Sequence, residues 1–164
     1  MSDLPLELKV DPKNEKLILK LSQLDKYDFS AINSDMQKKY SWPIEKSKYI
    51  EPRVKKFFAL SFLNADNYHI PDIDVDEYWH RMILHTVWYH KFCSDMFGSY
   101  YHHTPAPDPN HISTENREKS KELMAYWFGE PWDFIVMTCT QCNHPTPGGF
   151  ALELRPDPST LPKL

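Results

Sequence analysis

A carboxylate and an imidazole lie one helical turn apart in this sequence, at Asp76 and His80. Side chains at positions i and i+4 are neighbours on a helix surface, so these two can converge on one cation. The same spacing suits a simpler arrangement, in which Asp76 orients His80 or His80 bonds a backbone carbonyl oxygen. The pair alone therefore leaves metal ligation and a structural hydrogen bond both open.

Two adjacent histidines, His102 and His103, supply further imidazoles shortly after this pair. Neighbouring side chains of an extended segment point in different directions. We therefore expect one of the two histidines to reach a given ion, while the other forms a hydrogen bond or positions a ligand.

A Cys-x-x-Cys pair, Cys139 and Cys142, is followed closely by His144. This spacing holds two thiolates close enough for one tetrahedral ion, as in zinc ribbons. The sequence has no second Cys-x-x-Cys, so further ligands must be histidine or carboxylate. The two cysteines either complete the site of His80 or form a separate site with His144. Two unbridged thiols, and thiol chemistry activated by His144, are the alternatives.

The candidate donors determine which ion is expected. Imidazole, thiolate and carboxylate ligands together favour zinc, with iron second. Cys93, which lies among aromatic residues, is expected to be a buried core thiol rather than a nucleophile. The candidate metal ligands are therefore Asp76, His80, His102, His103, Cys139 and Cys142.

Composition narrows the class of protein. The 164 residues are 41% hydrophobic and 26% charged, which is typical of one globular domain spanning residues 1–164. A net charge of −4 argues against a nucleic-acid partner, and no apolar run approaches the roughly 20 residues that span a membrane. Three cysteines and the absence of a secretory signal favour a cytoplasmic location.

The pattern predicts a mainly α fold, a compact helical domain around a long buried central helix. That helix covers residues 75–97, with Asp72 or Asp74 as its cap and Gly98 at its end. Both sides of its helical wheel are largely apolar, which indicates burial over most of its circumference. Further helices are predicted at about residues 29–40, 52–63 and 113–128.

The two ends of the chain are predicted to add a small antiparallel β element. Leu4, Leu6, Leu8 and Val10 alternate with polar residues, a turn follows at 11–14, and 16–21 suits a second strand. The candidate strands thus lie within residues 1–24 and 149–155. A helix over residues 14–24 is the alternative for the second strand.

The stretch from the Trp79-His80 pair through Cys93 to His102-His103-x-Pro105 resembles a bacterial family labelled glycine-rich domain-containing protein-like. The likeness covers about residues 53–132, where it implies a helical domain. It implies signature positions at His80, Cys93, His102 and His103, and no established reaction. The residues expected to support the site are Trp79, Tyr89, Cys93 and His144.

These observations lead to two main hypotheses about function. The first is a small zinc-binding protein, and such a protein is an enzyme of unknown substrate if the ion keeps an open coordination position. The second is a non-catalytic interaction domain that binds a small molecule or protein partner, with its core histidines held by hydrogen bonds. Thiol chemistry at Cys139 or Cys142 is a third option.

Overall fold

The computed structural model of the chain describes residues 3–67, 69–105, 114–132, 141–142 and 152–163. Within them the prediction of a mainly helical fold is confirmed, since most residues lie in six α-helices. Two short strands, β1 (Thr104–Pro105) and β2 (Gln141–Cys142), pair antiparallel with Thr104 opposite Cys142. The helices are α1 (Glu15–Asp25), α2 (Ser30–Lys39), α3 (Ile44–Leu63), α4 (Ile73–Leu84), α5 (Thr86–Phe97) and α6 (Thr114–Phe128).

The N-terminal segment forms helices where a β-hairpin was predicted. Residues Pro5–Glu7 make a short 3-10 turn, and α1 follows Asn14, whose side-chain oxygen accepts the backbone N–H of Leu17 at 3.1 Å. Leu17, Leu21 and Leu24 are all buried, which is helical rather than two-residue spacing. The predicted strands within residues 1–24 are therefore wrong, and the alternative helix over 14–24 is the one that forms.

The C-terminal segment also lacks the predicted strand where it is described. Leu152–Leu154 is a 3-10 turn, and residues 149–151 lie outside the described residues. Contact with the N-terminal part is made by Asn14, whose amide donates to the carbonyl oxygens of Glu153 at 2.7 Å and Arg155 at 2.6 Å. Together with a backbone hydrogen bond from the N–H of Asp157 to the carbonyl oxygen of Pro12 at 2.8 Å, these bonds join the two ends where a sheet was expected.

The predicted continuous helix over residues 75–97 is two helices joined at His85. This residue has φ −83° and ψ 68°, and its Nε2 lies 2.8 Å from Oδ2 of Asp35 on α2. The two apolar sides expected of one helix belong to two helices with one buried face each. The buried residues are Val75, Asp76, Tyr78, Trp79, Arg81 and Met82 in α4, and Tyr89, Phe92, Cys93 and Met96 in α5.

The most deeply buried helix is α3. Every residue from Arg53 to Leu63 is buried, including the phenylalanines that pack on α4 and α5. The helix begins at Ile44, earlier than predicted, and Pro52 lies inside it. The long buried helix of the fold is therefore α3. The cationic groups of Arg53, Lys55 and Lys56 on its buried turns are paired with carboxylate or carbonyl oxygens. None of the described helices is long and apolar enough to cross a membrane.

Two buried cations on α3 connect it to the helices that follow. Arg53 donates to Oδ2 of Asp72 at 2.6 Å and to Oε2 of Glu130 at 3.0 Å. Lys56 donates to Oε1 of Glu130 at 2.6 Å. Asp72 is also the N-cap of α4, since its Oδ1 accepts the backbone N–H of Val75 at 2.8 Å. The start of α4 is thereby fixed against α3.

The loop between α3 and α4 is held by a fully buried imidazole. His69 is 1% exposed, and its Nε2–H donates to the carbonyl oxygen of Asn64 at 2.8 Å. Burial lowers the pKa of His69 to about 4, against the opposing effect of backbone hydrogen bonds to Asn64 and Leu60. His69 is therefore neutral in the folded protein at neutral pH.

The free energy of unfolding should decrease as the pH falls from about 6.5 to about 4. In that window the unfolded chain binds a proton at His69 that the folded protein excludes, so acid favours unfolding by up to about 3 kcal/mol. Urea titrations at several pH values measure how the free energy of unfolding changes with pH. His69→Gln should make this dependence on pH shallower. An identical slope in the variant and the wild type would contradict the prediction.

Candidate functional site

Three side chains with metal-ligating atoms meet in the described part of the structure. Asp76 and His80 lie on α4, and His103 comes directly before β1. Each offers one ligand atom, and the three atoms lie within 4.8 Å of one another. The cluster thus joins residues that are distant in sequence.

The carboxylate of Asp76 lies close to both imidazoles. Nε2 of His103 is 2.9 Å from Oδ1 of Asp76, and Nε2 of His80 is 3.6 Å from Oδ2. The side chains of His103 and Asp76 are only 5% and 10% exposed, whereas that of His80 is 46% exposed. The cluster therefore has a buried side and a solvent-facing side, and His80 forms the latter.

The imidazole of His103 is held between two other rings. Its centroid lies 4.0 Å from that of Trp79 and 4.6 Å from that of His80, with interplanar angles of 33° and 29°. Trp79 is fully buried and also contacts Phe58 and Tyr101. Packing from the core therefore restricts the orientation of the His103 ring.

The position of Asp76 and His80 follows from the local sequence of α4. The cap at Asp72 begins the helix, and the N–H of Asp76 donates to the carbonyl oxygen of Asp72 at 2.9 Å. Asp76 lies in the first turn, where a negative charge is favoured by the helix dipole. His80 follows one turn later on the same face of the helix.

A chain of buried hydrogen bonds fixes the segment that carries His103. The indole N–H of Trp79 donates to the hydroxyl of Tyr89 at 2.9 Å, and that hydroxyl donates to the carbonyl oxygen of Tyr101 at 2.6 Å. The hydroxyls of Tyr101 and Ser61 are also hydrogen-bonded, at 2.5 Å. Helices α3, α4 and α5 thus all help to anchor Tyr101, two residues before His103.

The protonation of His103 follows from its burial. Burial lowers the pKa of His103 below its usual value, and the nearby carboxylate of Asp76 acts in the opposite direction. The charge of His80 lowers the same pKa, and a hydrogen bond to the backbone of His103 itself raises it. A neutral imidazole is therefore favoured, and that is the form that binds metals.

The neighbouring imidazole of His102 lies elsewhere. It is exposed, and its ring is 4.7 Å from that of Tyr100, which is in turn 5.1 Å from the ring of His90. These three residues and Thr86 line a surface depression of about 520 Å³. The segment thus alternates, with Tyr101 and His103 directed to the core, Tyr100 only partly buried and His102 exposed. Tyr101 was not among the residues predicted to support the site, although the alternation of buried and exposed positions in this segment indicates that it is buried.

The three cysteines differ in how they relate to the cluster, since the backbone of Cys142 pairs with Thr104, the residue directly after His103. Cys93 is buried in α5, and burial raises the pKa of its thiol despite hydrogen bonds involving Tyr89 and Tyr101. Cys139 and His144 lie outside the described residues. Only the backbone of Cys142 is described, in β2.

Comparison with known proteins identifies the family. A family model described as UCP032817-like matches residues 19–130, more than half of the 164 residues, so the chain belongs to that family. The predicted resemblance to the glycine-rich domain-containing protein-like family was therefore wrong. Neither the curated proteins nor the solved structures contain a match to the chain. The matched region contains Asp76, His80 and His103, while Cys139, Cys142 and His144 lie beyond it.

Replacing Tyr89 with Phe should destabilise the protein while keeping its aromatic packing. The variant leaves the Trp79 N–H without its acceptor and the Tyr101 carbonyl without its donor, and an unsatisfied buried polar group costs about 1–3 kcal/mol. Urea denaturation of Tyr89→Phe and of wild type measures the difference in free energy of unfolding. The exposed variant Tyr49→Phe is the control, because Tyr49 is 58% exposed. Equal stability of Tyr89→Phe and wild type would contradict the prediction.

Proposed function

We propose that this member of the UCP032817-like family binds a divalent transition metal ion, zinc first and iron second, through Asp76, His80 and His103. The observation that carries the proposal is the convergence of one carboxylate and two imidazoles, with three ligand atoms within 4.8 Å of one another. Two of these residues are one helical turn apart, and the third comes from a separately anchored segment.

The distances within the cluster suit an ion. Two donor atoms that are each about 2.1 Å from a metal lie roughly 3.0 Å apart in octahedral and 3.4 Å apart in tetrahedral geometry. Nε2 of His103 lies 2.9 Å from Oδ1 of Asp76 and Nε2 of His80 lies 3.6 Å from Oδ2, so the two contacts are near these values but reach different oxygens. Because the rings of His80 and His103 also stack with centroids 4.6 Å apart, binding of an ion would require them to turn toward a common point.

The electrostatics of the cluster also favour a cation. Asp76 is a carboxylate with a side chain that is only 10% exposed, and the ring beside it, His103, favours its neutral form. A buried negative charge is costly unless it is paired or coordinates a metal. A divalent ion would offset that cost and use the lone pairs of both imidazoles.

The set of donors indicates the kind of site. Two imidazoles and one carboxylate are ligands of catalytic zinc and of non-haem iron(II), and both kinds of site keep positions open for water or substrate. Because the His80 side chain is half-exposed, a bound ion would be reachable from solvent on that side. This supports a metal-dependent enzyme in which the ion activates a bound water or polarises a substrate.

One observation favours a second candidate. The 2.9 Å contact between His103 and Asp76 is a good hydrogen bond without any ion. A non-catalytic interaction domain, with histidines held by hydrogen bonds, is consistent with it. That candidate predicts a protein that binds its partner equally well before and after treatment with a chelator.

Metal content and affinity test the proposal directly. Calorimetric titration of chelator-treated protein with zinc should show one equivalent bound, and elemental analysis should show the same ratio after dialysis. His80→Ala should weaken zinc binding more than about 100-fold, a larger loss than that caused by removing a supporting partner of a ligand. His80 is half-exposed, so the variant is expected to fold.

Two control variants make the result specific. His90→Ala removes an exposed imidazole from α5 and should leave zinc affinity unchanged. The double variant Cys139→Ser with Cys142→Ser should also keep one equivalent of zinc. Wild-type protein without zinc binding, or a His80→Ala variant with wild-type affinity, would contradict the proposal.

A further inference from the structure

We infer that a cavity between the end of α3 and the C-terminal segment binds a small organic monocarboxylate, with Arg155 as the group that pairs with the carboxylate. One wall is formed by residues 62–67, and the other by Arg155, Pro156, Pro158 and Leu161. The volume is about 430 Å³, within the roughly 300–1,000 Å³ typical of small-molecule sites. The cavity shares no residue with the proposed metal site, so it would be a second ligand-binding site.

The C-terminal wall of this cavity is held in place by other parts of the fold. The backbone N–H of Asp157 donates to the carbonyl oxygen of Pro12 at 2.8 Å. Tyr126 on α6 donates its hydroxyl to the carbonyl oxygen of Thr160 at 2.6 Å. The opposite wall continues directly from α3, the most deeply buried helix. The cavity is therefore preformed, which reduces the entropy that a ligand must overcome on binding.

Arg155 is the charged residue of the C-terminal wall, and it bonds Asp66 on the opposite wall. Its Nη1 lies 3.0 Å from Oδ2 of Asp66, and its Nη2 lies 3.4 Å from Oδ1. The Asp66 side chain is 78% exposed, so this ion pair is weak and another carboxylate can replace Asp66 at little cost. The Nε–H of Arg155 is enclosed and has no acceptor among the described residues. The guanidinium therefore has donors left for a ligand.

Asn64 supplies a second donor group to the cavity. Its Oδ1 accepts the indole N–H of Trp127 at 2.7 Å, which fixes the orientation of the amide. The NH₂ group of the same amide takes no part in that bond and can donate to a ligand oxygen. Arginine binds carboxylates through paired, charge-assisted hydrogen bonds. Asp66 beside the guanidinium would repel a dianion more strongly than a monoanion, which favours a monocarboxylate over a phosphate.

The remaining cavity surface suits an apolar body attached to the carboxylate. Pro158 and Leu161 are exposed apolar residues of the C-terminal wall, and Leu161 is 38% exposed. Ala65 adds a methyl group on the opposite wall. A few polar groups within a partly apolar cavity are typical of sites that bind small organic molecules. Phenylacetate combines a carboxylate with a compact apolar ring and is therefore a suitable probe.

Titration of the isotope-labelled, full-length protein with phenylacetate, followed in two-dimensional amide NMR spectra, tests the inference. The backbone amide signals of Ala65 and Asn67 should shift, with a Kd below about 1 mM. The matched probe is phenylacetamide, which has the same ring and no charge. It should bind at least about tenfold more weakly, because hydrogen bonds between charged groups are stronger than neutral ones. A chelator is present throughout, so that phenylacetate cannot bind through a metal ion.

Two substitutions change the affinity for phenylacetate in opposite directions. Arg155→Gln should reduce its preference over phenylacetamide below about threefold. The backbone carbonyl of Arg155 holds Asn14, and the substitution leaves that bond in place. Asp66→Asn removes the competing carboxylate and should strengthen phenylacetate binding about threefold. The control is Lys121→Gln, which removes an exposed cation of α6 outside the cavity and should leave both affinities unchanged.

Several results would overturn the inference. They are the absence of amide shifts with phenylacetate, shifts confined to residues outside 62–67 and 155–161, and equal binding of the acid and the amide. Wild-type preference in Arg155→Gln would also contradict it. If Arg155→Gln does not fold, Asp66→Asn decides, since unchanged or weaker phenylacetate binding in that variant contradicts the role of Arg155 and stronger binding supports it. None of these outcomes depends on whether the protein binds zinc.

Discussion

The ion pairs of Arg53 and Lys56 are the constraint on which the rest of the structure depends. Both cations are buried on α3, with 5% and 2% of their surface exposed, and buried charges are tolerated only when they are paired. Arg53 bonds Asp72 and Glu130, and Lys56 bonds Glu130. Because Asp72 also caps α4, satisfying the charge of Arg53 sets where α4 begins and where its first turn faces.

The candidate site inherits its geometry from two independent anchors. The first is this cap, which places Asp76 one turn into α4. The second is the hydroxyl of Tyr89, which accepts a hydrogen bond from the Trp79 N–H and donates one to the Tyr101 carbonyl oxygen. Two residues later, His103 lies against Asp76. Both anchors tie the site to the ends or the side chains of buried helices. A metal site needs this kind of support, since affinity depends on ligands that are already in position.

The sequence predicted local features well and distant pairings poorly. The Asp76–His80 spacing and the cap at Asp72 depend on residues within one turn, so the sequence alone indicated them. The choice between His102 and His103 depends on which side of an extended segment is buried, which is a tertiary property. The break at His85 likewise involves Asp35, 50 residues earlier. The predicted N-terminal strands were wrong. The alternation of Leu4, Leu6, Leu8 and Val10 is typical of a strand, but the segment that was to pair with it is α1, in which Leu17, Leu21 and Leu24 are buried at helical spacing.

The central claim is that one ion is bound by two imidazoles and a carboxylate. X-ray absorption at the zinc K-edge, on wild-type protein loaded with one equivalent of zinc, tests it most directly. The account predicts nitrogen and oxygen neighbours at about 2.0–2.2 Å, with the outer scattering of two imidazole rings. A first shell dominated by sulfur at about 2.3 Å would place the ion on the cysteines and contradict the claim.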